Sequence, residues 1–252
     1  MIRAGDCLPD IPVTLLTPEG PQTVGSARLF SGRAVIAFGL PGAFTPTCSS
    51  QQLPRYEELA DLFQAHGADA VLCIAVNDPY VMAAWAANQD VRKVRMVADG
   101  NGAFTEKLGL LLDKRGVGMG YRSRRYAMIV RDGRLERMFA EPDREGDPFE
   151  VSDADTVFRH FVPDAAAPPH LALISKPGCP HCARARQTLR ESGLPFTELN
   201  LADAQRARVL AAVAGEISAP QIFADGRRIG GGEALQRWLE QRRAQKLETA
   251  ES

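Results

Sequence analysis

The chain has 252 residues, longer than one domain usually runs, so two domains are expected. It is 45% hydrophobic and 24% charged with a formal net charge of −1, which gives no reason to expect nucleic acid or an anionic membrane as partner. The opening MIRAGDCLPD lacks a signal-type apolar core, and no apolar run approaches the ~20 residues of a membrane span, so the expected location is the cytoplasm.

RAVIAFGL (33–40) is a short apolar run that ends at Pro41-Gly42 and predicts a buried strand. TPTCSSQQLPRYEELADLFQAHG predicts a helix, with Thr45 as N-cap, Pro46 first in the helix and Gly67 as the stop; Pro54 inside it predicts a kink or break. ADAVLCIAV (68–76) predicts a second buried strand, DPYVMAAWAANQ a helix opened by Asp78-Pro79, and VRMVAD a third strand. RYAMIVRDGRLERMFAE predicts a hairpin turning at Asp132-Gly133, and SDADTVFRHFV a helix capped by Ser152.

PDAAAPPH (163–170) carries three prolines and three alanines without periodicity and predicts a linker. Beyond it the pattern restarts on a smaller scale. Strand LALISK, helix PHCARARQTLRESG, strand PFTELNL, helix ADAQRARVLAAVAG, strand PQIFAD, turn GRRI and helix GEALQRWLEQRRAQKL follow, with a frayed tail after Leu247. The expected fold class is α/β: two thioredoxin-fold domains over 1–162 and 171–252, each a mixed central sheet flanked by helices. Residues 1–170 hold 18 basic against 22 acidic side chains, and residues 171–252 hold 12 against 9, which suits a second domain that binds a small anion.

Cysteines stand at 7, 48, 73, 179 and 182, an odd number that does not read as a disulfide framework in a compartment where thiols stay reduced. Cys48 falls in the first turn of its helix, where free N–H groups and the helix dipole favour a thiolate. Arg125, at the head of a strand, can reach the same end of the sheet. Cys73, inside a buried strand, reads as a packed and inert thiol, with a resolving cysteine as the reserve reading, and Cys7 as incidental. In KPGCPHC the C-x-x-C pair ends a strand and opens a helix, the thioredoxin-like redox arrangement: Cys179 is the exposed attacking thiol, Cys182 the shielded resolving one. A zinc site would need a second ligand pair, which His181 alone does not supply, so no metal is expected. His66, His160 and His170 read as surface residues, Trp85 and Trp238 as packing residues.

PGAFTPTC, with VNDPYVMAAW and RRYAMIV, resembles the type-5 peroxiredoxins over roughly residues 3–162. The resemblance implies that Cys48 attacks the peroxide O–O bond. It also implies that Thr45 contacts thiolate and peroxide, Arg125 holds both, and Pro41 shields the site. Many type-5 relatives have a histidine where Gln52 stands here. KPGCPHC, the proline of SAPQIF and IGGGEAL resemble glutaredoxin over most of 170–247. That resemblance implies a cis Pro220 facing Cys179 and glutathione bound by Lys176, Ala219, Pro220, Gly232 and Glu233. Three residues depart from the usual glutaredoxin pattern: His181, Glu216 and Glu233.

Taken whole, the chain resembles the bacterial hybrid peroxiredoxin–glutaredoxin proteins. The implied activity is a thiol peroxidase for hydrogen peroxide and small alkyl hydroperoxides, with glutathionylated Cys48 recycled by Cys179, Cys182 and glutathione. Glutathione is then a co-substrate rather than a tightly bound cofactor, glutathione reductase acts indirectly through it, and a homo-dimer or tetramer is expected. Two rivals differ in class: a peroxide sensor that signals through a partner contact, and a glutathione-dependent disulfide reductase with a weak peroxidase half.

Overall fold

A computed structural model describes residues 1–144, 146–202, 204–215 and 218–250, with the side chains of Ala204 and of 246–250 left aside. The chain divides into two compact units, Met1–Ala167 and Pro168–Ser252. The division falls inside the expected linker, and Ala165 and Ala167 pack on the core of the first unit.

The first unit contains β1 (Pro12–Thr17), β2 (Gly20–Gly25), α1 (Ala27–Phe30), β3 (Ala34–Leu40), α2 (Leu53–Ala65), β4 (Ala70–Ala75), α3 (Pro79–Asn88), β5 (Arg95–Ala98), α4 (Ala103–Lys107), β6 (Leu111–Asp113), β7 (Tyr121–Ser123), β8 (Tyr126–Arg131), β9 (Arg134–Ala140) and α5 (Ala154–Phe161). Seven strands form one sheet in the order β2-β1-β5-β4-β3-β8-β9, and β6 pairs with β7 separately. The centre β5-β4-β3 is parallel, whereas β8 and β9 run antiparallel on one side and β1 and β2 on the other.

β3 and β4 are buried on both faces, as their unbroken apolar runs require. Their side chains alternate between two cores. Ile36, Phe38, Leu40, Val71 and Cys73 point to one core with Cys48, Tyr56 and Trp85; Val35, Ala37, Leu72 and Ile74 point to the other with Tyr126 and Met128. Phe38 stacks on Tyr56 with centroids 4.0 Å apart, a contact worth about 0.5–1.5 kcal/mol beyond area burial. The β8–β9 hairpin turns at Asp132-Gly133, both at positive φ, as a two-residue primed turn demands.

One local expectation is met in a specific form, one is corrected, and one stretch gains elements that were not expected. The break at Pro54 takes the form of a π-turn over Cys48–Gln52, in which Leu53 N bonds Cys48 O, five residues back. Pro54 has no N–H to return to the preceding turn, so it is accommodated in the first turn of α2. The cap of α5 is Asp153, whose carboxylate accepts Thr156 N at 2.8 Å; Ser152 is instead engaged by Glu141. The hairpin β1–β2 and α1 lie in a stretch for which the sequence reading assigned no element.

The second unit contains β10 (Leu171–Ser175), α6 (Pro180–Glu191), β11 (Thr197–Asn200), α7 (Ala204–Ala214), β12 (Gln221–Ala224), β13 (Arg227–Gly230) and α8 (Gly232–Ala250). Its sheet runs β11-β10-β12-β13, with β10 and β11 parallel and the rest antiparallel. Leu173, Ala185, Leu189, Ile222 and Leu235 form its core. Residues 227–230 form a strand rather than a turn, because Asp225 and Gly226 at positive φ already reverse the chain. α8 continues past Leu247 to Ala250, where fraying was expected. No helix among the described residues is long and apolar enough to cross a membrane.

Candidate active site

β3 ends at Leu40, and Pro41-Gly42 turns the chain toward Cys48. The Thr45 carbonyl accepts Ser49 N at 3.0 Å, the first helical bond, so Thr45 holds the N-cap backbone position. Its hydroxyl does not cap, however. It donates to Gly42 O at 2.8 Å, which ties the turn to the helix start and leaves the hydroxyl oxygen able to accept another bond. Asn77 Oδ1 accepts Ala43 N at 3.0 Å and Trp85 Nε1 donates to Ser49 Oγ at 3.0 Å, fixing both ends of the segment.

Cys48 is fully buried among the apolar groups of the first core. The polar group that meets its sulfur is Arg125, whose Nη1 lies 3.3 Å from Sγ and 2.5 Å from Gln52 Oε1. Arg125 stands just before β8, which runs antiparallel to β3, so the strand that ends at the Pro41 turn lies beside the strand that Arg125 opens. The guanidinium also donates from Nε to Pro148 O at 3.2 Å and from Nη2 to Asp147, and packs over the Phe149 ring at 5.4 Å. Gln52 Nε2 is buried with no hydrogen-bond partner among the described residues. The residues expected to gather around Cys48 from distant parts of the chain are thus Arg125 in direct contact, and Thr45 and Pro41 in the turn beside it. Sequence reasoning missed Asp147, Pro148 and Phe149.

Cys73 shares the core with Cys48 but lies mid-strand in β4 between Phe38 and Met96. Burial pushes its thiol well above the ordinary value, and the Cys48 sulfur adds to the effect. Such a thiol stays protonated and inert. Cys7 is exposed. Trp85 is fully buried, and His66, His160, His170 and His181 are exposed.

In the second unit Cys179 caps α6, its sulfur accepting Cys182 N at 3.1 Å, with Pro180 first in the helix. Cys179 and Cys182 are joined as a disulfide, with Cys182 buried and Cys179 partly open. The Ala219–Pro220 bond is cis, and Ala219 O lies 3.8 Å from the Cys179 sulfur. Gly231 sits against Pro220: a Cβ on it would stand 3.7 Å from Pro220 O, which brings the Gly232–Glu233 start of α8 alongside. Lys176 follows β10, half-buried. Glu216 lies outside the described residues. Among those residues no cluster of His, Cys, Asp and Glu could hold a metal ion.

The Redoxin family pattern matches residues 3–158, and the Glutaredoxin pattern matches residues 171–229. The chain is 44% identical to the hybrid peroxiredoxin hyPrx5 of Haemophilus influenzae over 229 residues, 90% of this chain and 95% of that protein. This chain belongs to the hybrid peroxiredoxins. The first unit of this hybrid peroxiredoxin is also 50% identical over 145 residues to peroxiredoxin sll1621 of Synechocystis, covering 56% of this chain and 76% of that protein. Among solved structures, reduced Prx3 of Vibrio vulnificus in complex with H2O2 superposes with a TM-score of 0.61 at 42% identity, covering 64% of this chain and 99% of that one. A hybrid peroxiredoxin joins a peroxiredoxin and a glutaredoxin of thioredoxin-like α/β fold in one chain, and it is an oxidoreductase of the peroxidase class.

Proposed function

We propose that this protein reduces hydrogen peroxide and small alkyl hydroperoxides at Cys48 and is recycled through its own glutaredoxin unit with glutathione. The observation that carries the reading is the Arg125 Nη1 contact to a buried sulfur at the start of a helix. A guanidinium and free backbone N–H groups stabilise a thiolate and then the charge that moves onto the departing oxygen.

In the first step the Cys48 thiolate attacks one peroxide oxygen. The S–O bond forms, the O–O bond breaks, and the other oxygen leaves as water or alcohol with a proton, so sulfur is oxidised to sulfenic acid. Arg125 stays on sulfur and oxygen, the Thr45 hydroxyl accepts from the peroxide, and Pro41 keeps water off. Glutathione thiol then attacks the sulfenic sulfur, water leaves, and a mixed disulfide with Cys48 remains. The Cys179 thiolate attacks the glutathione sulfur and frees Cys48 as a thiol. Cys182 attacks in turn, releasing reduced glutathione and closing the Cys179–Cys182 disulfide, which glutathione reduces; alternatively a second glutathione releases Cys179 directly. Lys176, Ala219, Pro220, Gly232 and Glu233 hold the glutathione. The helix start offers N–H groups to a carboxylate, and the Ala219 backbone before the cis peptide bond, just ahead of β12, offers its polar groups to the tripeptide.

The reading extends to a cytoplasmic homo-oligomer. Phe44, Tyr80 and Tyr121 are exposed apolar residues on segments pinned together by Asn77 and Arg122, an arrangement that suits a contact between subunits. Sedimentation of the reduced protein gives the assembly. The chemistry is tested by peroxide-dependent NADPH loss with glutathione and glutathione reductase. Cys48→Ser is expected to abolish turnover, and Cys179→Ser to lose most of it at low glutathione. Full turnover in Cys48→Ser overturns the peroxidase; full turnover in Cys179→Ser overturns the tethered recycling alone.

A further inference from the structure

Three consecutive residues grip the side of Arg125 that faces away from Cys48. The Asp147 carboxylate takes Nη2, the Pro148 carbonyl takes Nε at 3.2 Å, and the Phe149 ring lies under the guanidinium at 5.4 Å. The opposite nitrogen, Nη1, is thereby left to the Cys48 sulfur and Gln52. Arg125 is 2% exposed whereas the Asp147 side chain is 43% exposed, so the clasp closes over the guanidinium from the solvent side.

The clasp is itself anchored. Glu141 is buried, and its carboxylate accepts Glu150 N at 2.9 Å, Val151 N at 3.0 Å, Ser152 N at 2.8 Å and the Ser152 hydroxyl at 2.7 Å. Tyr56, from the helix that follows Cys48, donates its hydroxyl to Ser152 O at 2.8 Å. The segment carrying Asp147 is therefore bound at its far end to both the strand side and the helix side of the thiol site.

We infer that Asp147 is a positioning residue for peroxide reduction. Together with Pro148 and Phe149 it fixes the plane and reach of Arg125, so that Nη1 meets the Cys48 sulfur without a search over rotamers. This rests on Cys48 being the peroxide-reducing thiol. An arginine has five N–H donors in a rigid fork; here the clasp takes one N–H on each of two nitrogens, Nε and Nη2, and the Phe149 ring holds the plane. Holding a charged donor in place before the reaction is where such a site gains rate.

The test uses the full reduced chain, mixed rapidly with hydrogen peroxide, reading the rate of Cys48 oxidation. Asp147→Ala should slow it by about tenfold or more, while Asp147→Asn, whose amide oxygen still accepts from Nη2, should recover most of the loss. In an Arg125→Lys background Asp147→Ala should add less than about twofold, because the residue acts through Arg125. Asp147 is partly exposed, so these variants should fold, and Trp85 emission and the thermal transition check that they do. An Asp147→Ala rate within about twofold of wild type overturns the inference. So does an Asn variant as slow as the Ala variant, or an equal loss in both backgrounds. Failure of the parent reading looks different: peroxide turnover would survive Cys48→Ser.

Discussion

One nitrogen of Arg125, Nη1, joins the Cys48 sulfur at 3.3 Å to Gln52 Oε1 at 2.5 Å, linking the two ends of the π-turn through the residue that precedes β8. Lysine at 125 keeps the charge but presents it as a single point. It cannot serve the sulfur, Gln52, Pro148 O and Asp147 together. Arg125→Lys is therefore expected to lower peroxide turnover by about 10²-fold, on the scale of losing one preorganised donor to developing charge. The coupled glutathione assay measures it, and near-wild-type turnover would refute the assigned role.

Cys73 is expected to take no part in the chemistry proposed for Cys48. It is fully buried in β4, and burial holds its thiol protonated. Cys73→Ala should leave peroxide turnover unchanged within the error of the assay while costing about 1 kcal/mol of stability for the small void. Thiol titration offers a second check: native wild type and variant should give equal counts, differing by one only after denaturation.

Glu141 gives the first unit a defined acid limit. Burial pushes its carboxyl up, but the bonds from Val151, Ser152 and Glu150 outweigh that and hold it below the usual value. A folded-state pKa below the unfolded one contributes stability above the unfolded value, near 4.5, and this contribution is lost as pH falls through the folded value. Glu141→Gln should thus be less stable than wild type near neutrality, by about 1.5–3 kcal/mol for a bond to a charged acceptor. The gap should narrow as pH drops below about 4.5. Urea unfolding of both proteins across that range gives the curve; a gap that widens on acidification would contradict the assignment.

The pattern of the chain made the sheet centre legible, because RAVIAFGL and ADAVLCIAV are strands buried on both faces, and such strands are continuous apolar runs. It made the two thiol helices legible because proline just inside a helix start is a local signal. The N-terminal hairpin gave no such signal: the pattern PVTLLT is only half-buried, and its partner GPQTVG is largely exposed. The choice between Ser152 and Asp153 as cap is settled by Glu141, eleven residues upstream of Ser152, which claims the serine. The clasp on Arg125 was hidden for the same reason. DPF is an unremarkable turn sequence until a buried carboxylate pins the residues that follow it.

Gly39 tests how closely the sheet is built around the site. It faces Tyr126 in the β3–β8 ladder, and a Cβ placed there would stand 2.0 Å from the Tyr126 ring. Tyr126 is fully buried, so its ring has nowhere to swing, and it follows Arg125 directly in the chain. Gly39→Ala is expected to cost about 1–3 kcal/mol or more by overpacking. Any relief by backbone movement would shift the start of β8 and with it the guanidinium, so peroxide turnover should fall along with stability. A second change that shrinks the ring, Tyr126→Leu, should make the pair less destabilised than the sum of the two single variants, since the residues touch. Denaturant melts of the four proteins give this coupling; strict additivity would show that the glycine is not there to admit the ring.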